Sequence, residues 1–335
     1  MAVKTRVGII GLGGIAQLVH LPILSKLENV ELAGVAEINK NRLKFINEKF
    51  QLKNCFTDYK EMLEKCELDA VVIATPTNTH EAIALDCIKA KKHVLIEKPV
   101  ARTFKEAKEI YSVAIKNKTI AMVGMNLRFR PDAMLMKSLV NSGELGDLFY
   151  IKCKWLRHKS SEQKWFIDKS QSGGGVLIDL GVIILDLALW MFNSADPANV
   201  SVQKFSHNTK NVEDSAVGII KFNSDKVIMF EVGWGMHSED NSFNLTAYGT
   251  KGTAQLNPLR AYKKLAGVSI DYTPAKTSNT SGMFRKSYEN ELKHFIAAIR
   301  QDEHTVISSV QEAMDRMKLL EAIYKSAETK KEIKV

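Results

Sequence analysis

Cysteine is scarce in this chain of 335 residues, and the four present, Cys55, Cys66, Cys87 and Cys153, share no CxxC spacing; three fall in stretches that read as buried strand or helix. A disulfide framework and a structural zinc site of the usual spacing are thereby excluded, no metal is expected, and a reducing cytoplasm fits best. Long basic runs are missing too. The net charge is +9, but the lysines and arginines are scattered, so no stripe tracks a phosphate backbone and nucleic acid is not an expected partner. Nor is any apolar run of membrane-spanning length uninterrupted. The longest, residues 174–192, contains Asp179 and Asp186, which hydrocarbon tolerates poorly, so no membrane association is expected. Met1 is followed by Lys4, Arg6 and a strand pattern, without the apolar core and small-residue cleavage site of a secretory leader.

What is present is the composition of a folded globular chain, 45% hydrophobic and 25% charged, with a length that predicts two domains at about 150 residues each. From Thr5 to Gly124, β-branched runs at 7–10, 30–36, 55–56, 70–74, 94–97 and 120–124 alternate with helical-period segments. That is the grammar of parallel strands joined by crossover helices, a doubly wound sheet. After Met125 the grammar changes. A helix near 131–142 leads to an alternating strand at 148–155, an apolar helix at 176–192 and consecutive strands at 200–207, 216–222, 227–233, 243–248 and 253–256. Short turns between consecutive strands favour an antiparallel sheet. The expectation is therefore an α/β chain: a doubly wound domain over residues 1–125, then an α+β domain over 126–335 with a large, mostly antiparallel sheet. The final helices, 288–300 and 310–328, close the chain, the second packing back on the body.

Gly11-Leu12-Gly13-Gly14-Ile15-Ala16 follows the first strand at once and opens a helix, so it matches GxGxxG/A in the required context. Glycine at 11 allows the tight turn, glycine at 13 lets backbone approach a pyrophosphate, and the helix N-terminus offers N–H groups to the anion. Glu37 ends the second strand, 21 positions after Ala16; an acid there accepts hydrogen bonds from ribose hydroxyls and repels a 2′-phosphate, which favours NAD. Arg42, one turn into the next helix, could reach such a phosphate, so NADP stays open. The other strand tips are polar as well: Thr75-Pro76-Thr77-Asn78, Glu97-Lys98-Pro99, and Asn126 with Arg128. Lys98 stands between a strand tip and a proline, where burial or a cationic ring can prepare an amine to exchange a proton with a substrate hydroxyl. A surface lysine, or one paired with Glu97, is the alternative reading of the same residue.

Those segments, together with Thr79-His80 and Gly173-Gly174-Gly175-Val176-Leu177-Ile178-Asp179-Leu180-Gly181, closely resemble motifs of the glucose–fructose oxidoreductase / inositol dehydrogenase / rhizopine-catabolism (Gfo/Idh/MocA) family. The resemblance extends over nearly the whole chain. It implies that the first domain is a dinucleotide-binding Rossmann domain and that the sheet of the second is open, with NAD(P)-dependent redox chemistry on the CH–OH groups of sugars, polyols or related compounds, and a homodimer or homotetramer formed through the C-terminal sheet. It also implies a cofactor site of Gly11, Leu12, Gly13, Gly14, Ile15, Glu37, Arg42, Thr75, Pro76, Asn78, His80, Glu97, Lys98 and Asn126. Lys98 becomes the proton-transfer lysine, Asp179 a substrate-site carboxylate, and Arg128, Trp165 and Ile183 substrate-facing positions.

One departure matters. Family enzymes commonly carry a histidine four residues after the Asp179 position, on the same helix face; here that residue is Ile183, which cannot carry a proton. Either Lys98 acts with Asp179 or water, or another group such as His158 or His237 substitutes, or the chain is an NAD-binding sensor or scaffold without net turnover. Bond cleavage through a transient oxidation, with NAD retained, is a third possibility from the family. Asp179 can also simply complement its helix N-terminus, Asp186 can be a solvated or paired charge, and Trp155, Trp165 and Trp234 can be packing rather than sugar contacts.

Overall fold

A computed structural model describes residues 3–158, 164–193, 196–237, 240–274, 282–303 and 305–335. The chain forms two compact units, Met1–Asn126 with Ser287–Met314, and Leu127–Lys286 with Asp315–Val335.

In the first unit the strands are β1 (Thr5–Ile10), β2 (Val30–Ala36), β3 (Cys55–Phe56), β4 (Ala70–Ile73), β5 (His93–Ile96) and β6 (Ala121–Val123). Among the described residues they make one parallel sheet in the order β3-β2-β1-β4-β5-β6. The helices between them start where short polar side chains cap them: Asn39 for Lys40–Phe50, Asp58 for Tyr59–Lys65 and Thr103 for Phe104–Asn117, each cap being worth about 1 kcal/mol. β4 is apolar throughout and fully buried, as a central parallel strand covered on both faces must be. Burying Val71, Val72 and Ile73 contributes about 1.5–3 kcal/mol each.

Register then fixes what lies at the carboxyl edge. Ile10 pairs with Ala36 and Ile73, Ile73 with Ile96, and Ile96 with Val123. The residues immediately after this row, Glu37, Gly11, Ala74, Glu97 and Gly124, therefore line one edge of the sheet. Strand order reverses between β1 and β4, and open α/β sheets bind ligands outside the carboxyl ends at that reversal.

The chain leaves the first unit after Asn126, and Ser287–Met314 returns to it. Specific anchors hold it there. Asn126 Nδ2 donates to Ser287 Oγ (3.1 Å), Ser308 Oγ donates to Val123 O (2.6 Å), and Val123 N–H donates to Ser308 O (2.9 Å). The helices Met283–Ile299 and Val310–Thr329 each begin in one unit and end in the other.

The second unit holds β7 (Leu148–Leu156), β8 (Pro197–Phe205), β9 (Ser215–Phe222), β10 (Val227–Gly233), β11 (Ser242–Gly249), β12 (Gly252–Leu256), β13 (Arg260–Leu265), β14 (Val268–Asp271) and β15 (Ile333–Lys334). Among the described residues these form a nine-stranded sheet ordered β14-β13-β12-β11-β7-β10-β9-β8-β15. It is antiparallel apart from the β7–β10 pair. Val182–Met191 is a helix that packs against β7 and β11. The run Lys169–Met191 is long and apolar enough to cross a membrane by composition, but 94% of its most apolar window is buried inside the unit; it is a core helix here. β13 and β14 escape the sequence pattern because they form an exposed, lysine-bearing ribbon at the sheet edge, where charge replaces hydrophobic alternation.

Candidate active site

The glycine loop sits at the reversal of strand order. Gly11 has φ +88°, and a Cβ there would lie 2.6 Å from Ala74 O, so both conformation and space demand glycine. The chain then enters a helix over residues 14–24 whose middle, Ala16–His20, is a π turn. At Gly13 and Gly14 an added Cβ would meet nothing within 4 Å. Nothing in the protein itself requires glycine there; an open backbone next to helix-start N–H groups that lack intrahelical acceptors suits a pyrophosphate. Ala16 is buried, consistent with close helix–sheet packing. Leu12 departs from a simple cofactor contact: its side chain is buried and its N–H donates to Glu37 Oε2 at 2.9 Å, so it braces the loop from beneath. The consequence is a separable effect. Gly13→Val is expected to leave the denaturation midpoint unchanged and raise the Kd for NAD at least about tenfold, roughly 1.4 kcal/mol, measured by fluorescence titration.

Glu37, 5% exposed, accepts from Leu12 N–H, from Asn39 N–H at 2.9 Å and from Arg42 Nη1 at 3.1 Å. A carboxylate offers about four lone-pair sites, so one acceptor site remains for a ribose hydroxyl. Arg42 is committed to Glu37 by the same ion pair.

Beyond β4, Pro76 and Asn78 are exposed, and Thr79 Oγ1 donates back toward Thr75 Oγ1 (2.7 Å) and Pro76 O (2.8 Å). His80 does not face a ligand. It is buried, with Nδ1 2.9 Å from Pro99 O and Nε2 2.9 Å from Thr75 O. Burial holds its imidazole below the ordinary range against the pull of those carbonyls. His80 clamps the loop after β4 to the loop after β5, a structural duty in place of the expected cofactor contact.

Lys98 follows β5 and is partly exposed. Glu97, beside it, is buried; Oε1 lies 2.8 Å from His20 Nε2, and Oε2 accepts the Lys98 N–H at 3.3 Å. Burial pushes the Glu97 carboxyl up, but the His20 hydrogen bond and the positive charge of Lys98 outweigh it and hold the group below the ordinary carboxylate range. A Cβ at Gly124 would press on Glu97 Oε2 at 3.2 Å, which is why the β6 tip is bare. Asn126 is buried and bonded to Ser287.

The second unit builds its own constellation. The glycine triplet has a steric cause: a Cβ at Gly174 would overlap the Tyr324 hydroxyl, and one at Gly175 would overlap Glu213 O. Glu213 Oε1 accepts from Gly175 N–H (3.0 Å), Leu177 N–H (3.0 Å) and Tyr324 OH (2.8 Å), capping the apolar helix with a buried carboxyl whose pKa burial raises. Asp179 lies in a π turn, Leu177–Gly181, and its Oδ2 accepts the Trp234 Nε1–H at 3.2 Å. Trp234 is buried, so it orients a carboxylate and is no sugar platform. π turns recur at functional positions; this chain has one at the glycine loop and one at Asp179.

Two expected substrate positions are corrected. Arg128 is 1% exposed and clamps Asp186 through Nε–Oδ2 (2.7 Å) and Nη2–Oδ1 (2.5 Å), while Arg316 Nε reaches Oδ1 at 3.1 Å. Burial penalises the Asp186 carboxylate, yet the two guanidiniums hold it below its ordinary range. This is a core ion triad. Ile183 is buried with its helix. Trp165 is half-buried and stacked on Phe166, with ring centroids 4.0 Å apart. His237 is exposed, and His158, partly buried, donates its N–H to Asn241 Oδ1 at 2.9 Å. Sequence reasoning missed His20, Glu213 and Trp234 as supports. Each is defined by a partner distant in sequence.

Comparison with known proteins agrees with this architecture. Residues 5–125 match the oxidoreductase family's NAD-binding Rossmann fold, and residues 137–335 match the same family's C-terminal alpha/beta domain. The chain is 26% identical to D-glucoside 3-dehydrogenase of Escherichia coli strain K12, over 97% of this chain and 95% of that protein. It is 27% identical to myo-inositol 2-dehydrogenase of Thermotoga maritima, over 98% of each. The fold superposes on a levoglucosan dehydrogenase solved with NADH, with TM-score 0.89, 22% identity and 99% of both chains covered. The open backbone at Gly13 and Gly14 and the spare acceptor site on Glu37 fit NAD. The chain therefore belongs to the Gfo/Idh/MocA oxidoreductase family and is an NAD(P)-dependent dehydrogenase.

Proposed function

We propose that the protein catalyses hydride exchange between NAD and a carbinol carbon of a sugar, polyol or related hydroxy compound, with Lys98 exchanging the hydroxyl proton. The observation that carries the reading is the position of Lys98: it follows β5 in the row of strand ends beside the glycine loop, over a carboxylate that His20 holds in place. NAD, when bound, supplies the hydride acceptor. The backbone of Gly13, Gly14 and Ile15 holds the pyrophosphate, Glu37 takes a ribose hydroxyl, and Thr75, Pro76 and Asn78 line the loop after β4. Asn126 supports the end of β6. Arg42 is neutralised by Glu37, which favours NAD over NADP.

In the oxidative direction Lys98 Nζ accepts the hydroxyl proton while the carbon loses hydride; in the reductive direction it returns that proton. Asp179, steadied by Trp234, is the candidate substrate carboxylate of the second unit. No proton passes through position 183, so Lys98 carries the acid–base work that family members share with a histidine. The names of the relatives, a glucoside and an inositol dehydrogenase, support a ring secondary alcohol as substrate.

Three buried free thiols, Cys66, Cys87 and Cys153, support a cytoplasmic setting. Val217 and Met229, exposed on the outward face of β9 and β10, support assembly of a homodimer or homotetramer through the large sheet. The experiment is nicotinamide absorbance with NAD and NADP across glucosides, glucose 6-phosphate, inositols and levoglucosan. Reduction of NAD by a member of this panel is expected. Tight NAD binding with no turnover on any of them favours the sensor reading, for which the buried, apolar Ile183 is the one supporting observation.

A further inference from the structure

Two buried groups of the first unit are left unsatisfied by everything described so far. Glu291, on the Met283–Ile299 helix, is 0% exposed, and neither of its carboxyl oxygens has a hydrogen-bond partner among the described residues. His20 is also fully buried; its Nε2 meets Glu97, but its Nδ1 has no partner. A buried polar atom left unpaired costs about 1–3 kcal/mol, so three such atoms in one unit ask for an explanation.

One helix face brings these groups together. Ser287 bonds Asn126, Tyr288 sets its ring edge-on to His20 with centroids 6.1 Å apart, and Glu291 follows one turn later, near enough to Glu97 for the two carboxyls to repel. The titratable group that acts on Glu291 is Glu97 at the end of β5, which in turn meets His20 and Lys98; Tyr288, on the same helix as Glu291, touches the His20 ring. Among the described residues no cation bonds Glu291. Burial and the Glu97 charge both push its carboxyl well above the ordinary range, which favours the protonated form.

We propose that the Glu291 carboxylic acid donates a hydrogen bond through one buried water to His20 Nδ1, and so fixes His20 to present Nε2–H to Glu97 beside Lys98. For a neutral imidazole the chain of bonds is complete in one sense only. An imidazole whose Nδ1 accepts carries its proton on Nε2 and donates to Glu97 Oε1; the opposite tautomer would set a lone pair against a carboxylate. Glu97 stays ionised with Oε2 on the Lys98 N–H. Glu291 is then a positioning residue that acts through His20 and Glu97, and its kinetic consequence rests on the reading of Lys98 as the proton-transfer group.

The test compares Glu291→Gln, a neutral isostere that still donates, with Glu291→Leu, which does not. In the full-length protein, histidine nitrogen NMR is expected to show His20 as the Nε2–H tautomer with a hydrogen-bonded Nδ1 in wild type and Glu291→Gln. In Glu291→Leu the hydrogen-bonded Nδ1 signal is lost. Turnover should fall roughly tenfold in Glu291→Leu and stay within about threefold in Glu291→Gln. NAD affinity should be unchanged in both. The pH profile of the rate should differ between wild type and Glu291→Gln, because glutamine cannot ionise. An Nδ1–H tautomer in wild type, or equal behaviour of the two variants in both NMR and rate, overturns the proposal. If Glu291→Leu does not fold, the wild-type tautomer and the Gln pH profile decide it. Failure of the Lys98 reading is told apart by Lys98→Met: full turnover there removes the kinetic consequence, while the NMR result still settles the Glu291–His20 bond.

Discussion

Lys98→Met is expected to lower kcat/KM for sugar oxidation by about 10²–10⁴-fold, the usual worth of a positioned acid–base group, while NAD binds as before. Methionine keeps the length and apolar stem of lysine but cannot take a proton, so the loss isolates that function. Two features make the effect large. The carboxylate next to Lys98 is already engaged by His20, and the position four residues beyond Asp179 is the buried isoleucine Ile183. Neither offers a substitute base. The loop bearing Lys98 is held through Pro99 O by His80, and the lysine's own N–H by Glu97, so the replacement should leave the site's backbone in place. Steady-state kinetics and NAD titration on the same preparation check both halves of the expectation.

Asp186→Leu is expected to destabilise the second unit by about 3–5 kcal/mol, the cost of removing one partner from a buried charge pair. Here the residual charge is two guanidiniums, Arg128 and Arg316, both nearly inaccessible to solvent. Each needs a carboxylate more than it needs any packing that leucine supplies. Urea denaturation followed by tryptophan fluorescence is a suitable readout, since Trp234 and Trp190 both belong to this unit. If the triad matters only for local geometry, the midpoint will barely move. Replacing all three residues by apolar ones of similar volume should recover much of the loss, because the desolvation of the charges disappears with the charges.

The parallel sheet was legible because its strands are buried on both faces and therefore apolar in unbroken runs, as at Ala70–Ile73, with glycine or polar residues at their tips. β13 and β14 were not, since Arg260–Leu265 carries lysines at an exposed edge and shows no alternation. The return of Ser287–Met314 to the first unit was invisible for another reason: it depends on Ser287 and Ser308 finding Asn126 and Val123, pairings that no local pattern encodes. At the site, the glycine loop, Glu37 and Lys98 announce themselves by spacing and context. Arg128 and His80 show the ambiguity of such positions: a polar residue near a strand end looks the same whether it meets a ligand or a buried partner such as Asp186 or the Pro99 carbonyl. Glu291 did leave a trace. It shares a helical face with Ser287, Tyr288, Leu292 and Phe295, all buried, and a carboxylate in the apolar phase of a helix is a signal in its own right.

The central claim, proton exchange by the amine after β5, is tested most directly by the rate of hydride transfer in a single turnover, followed across pH with saturating NAD and the best sugar of the panel. The account predicts in Lys98→Met a rate at least about 10²-fold below that of the wild type, with the wild-type pH dependence abolished. Equal rates with the same pH dependence in the two proteins would contradict it.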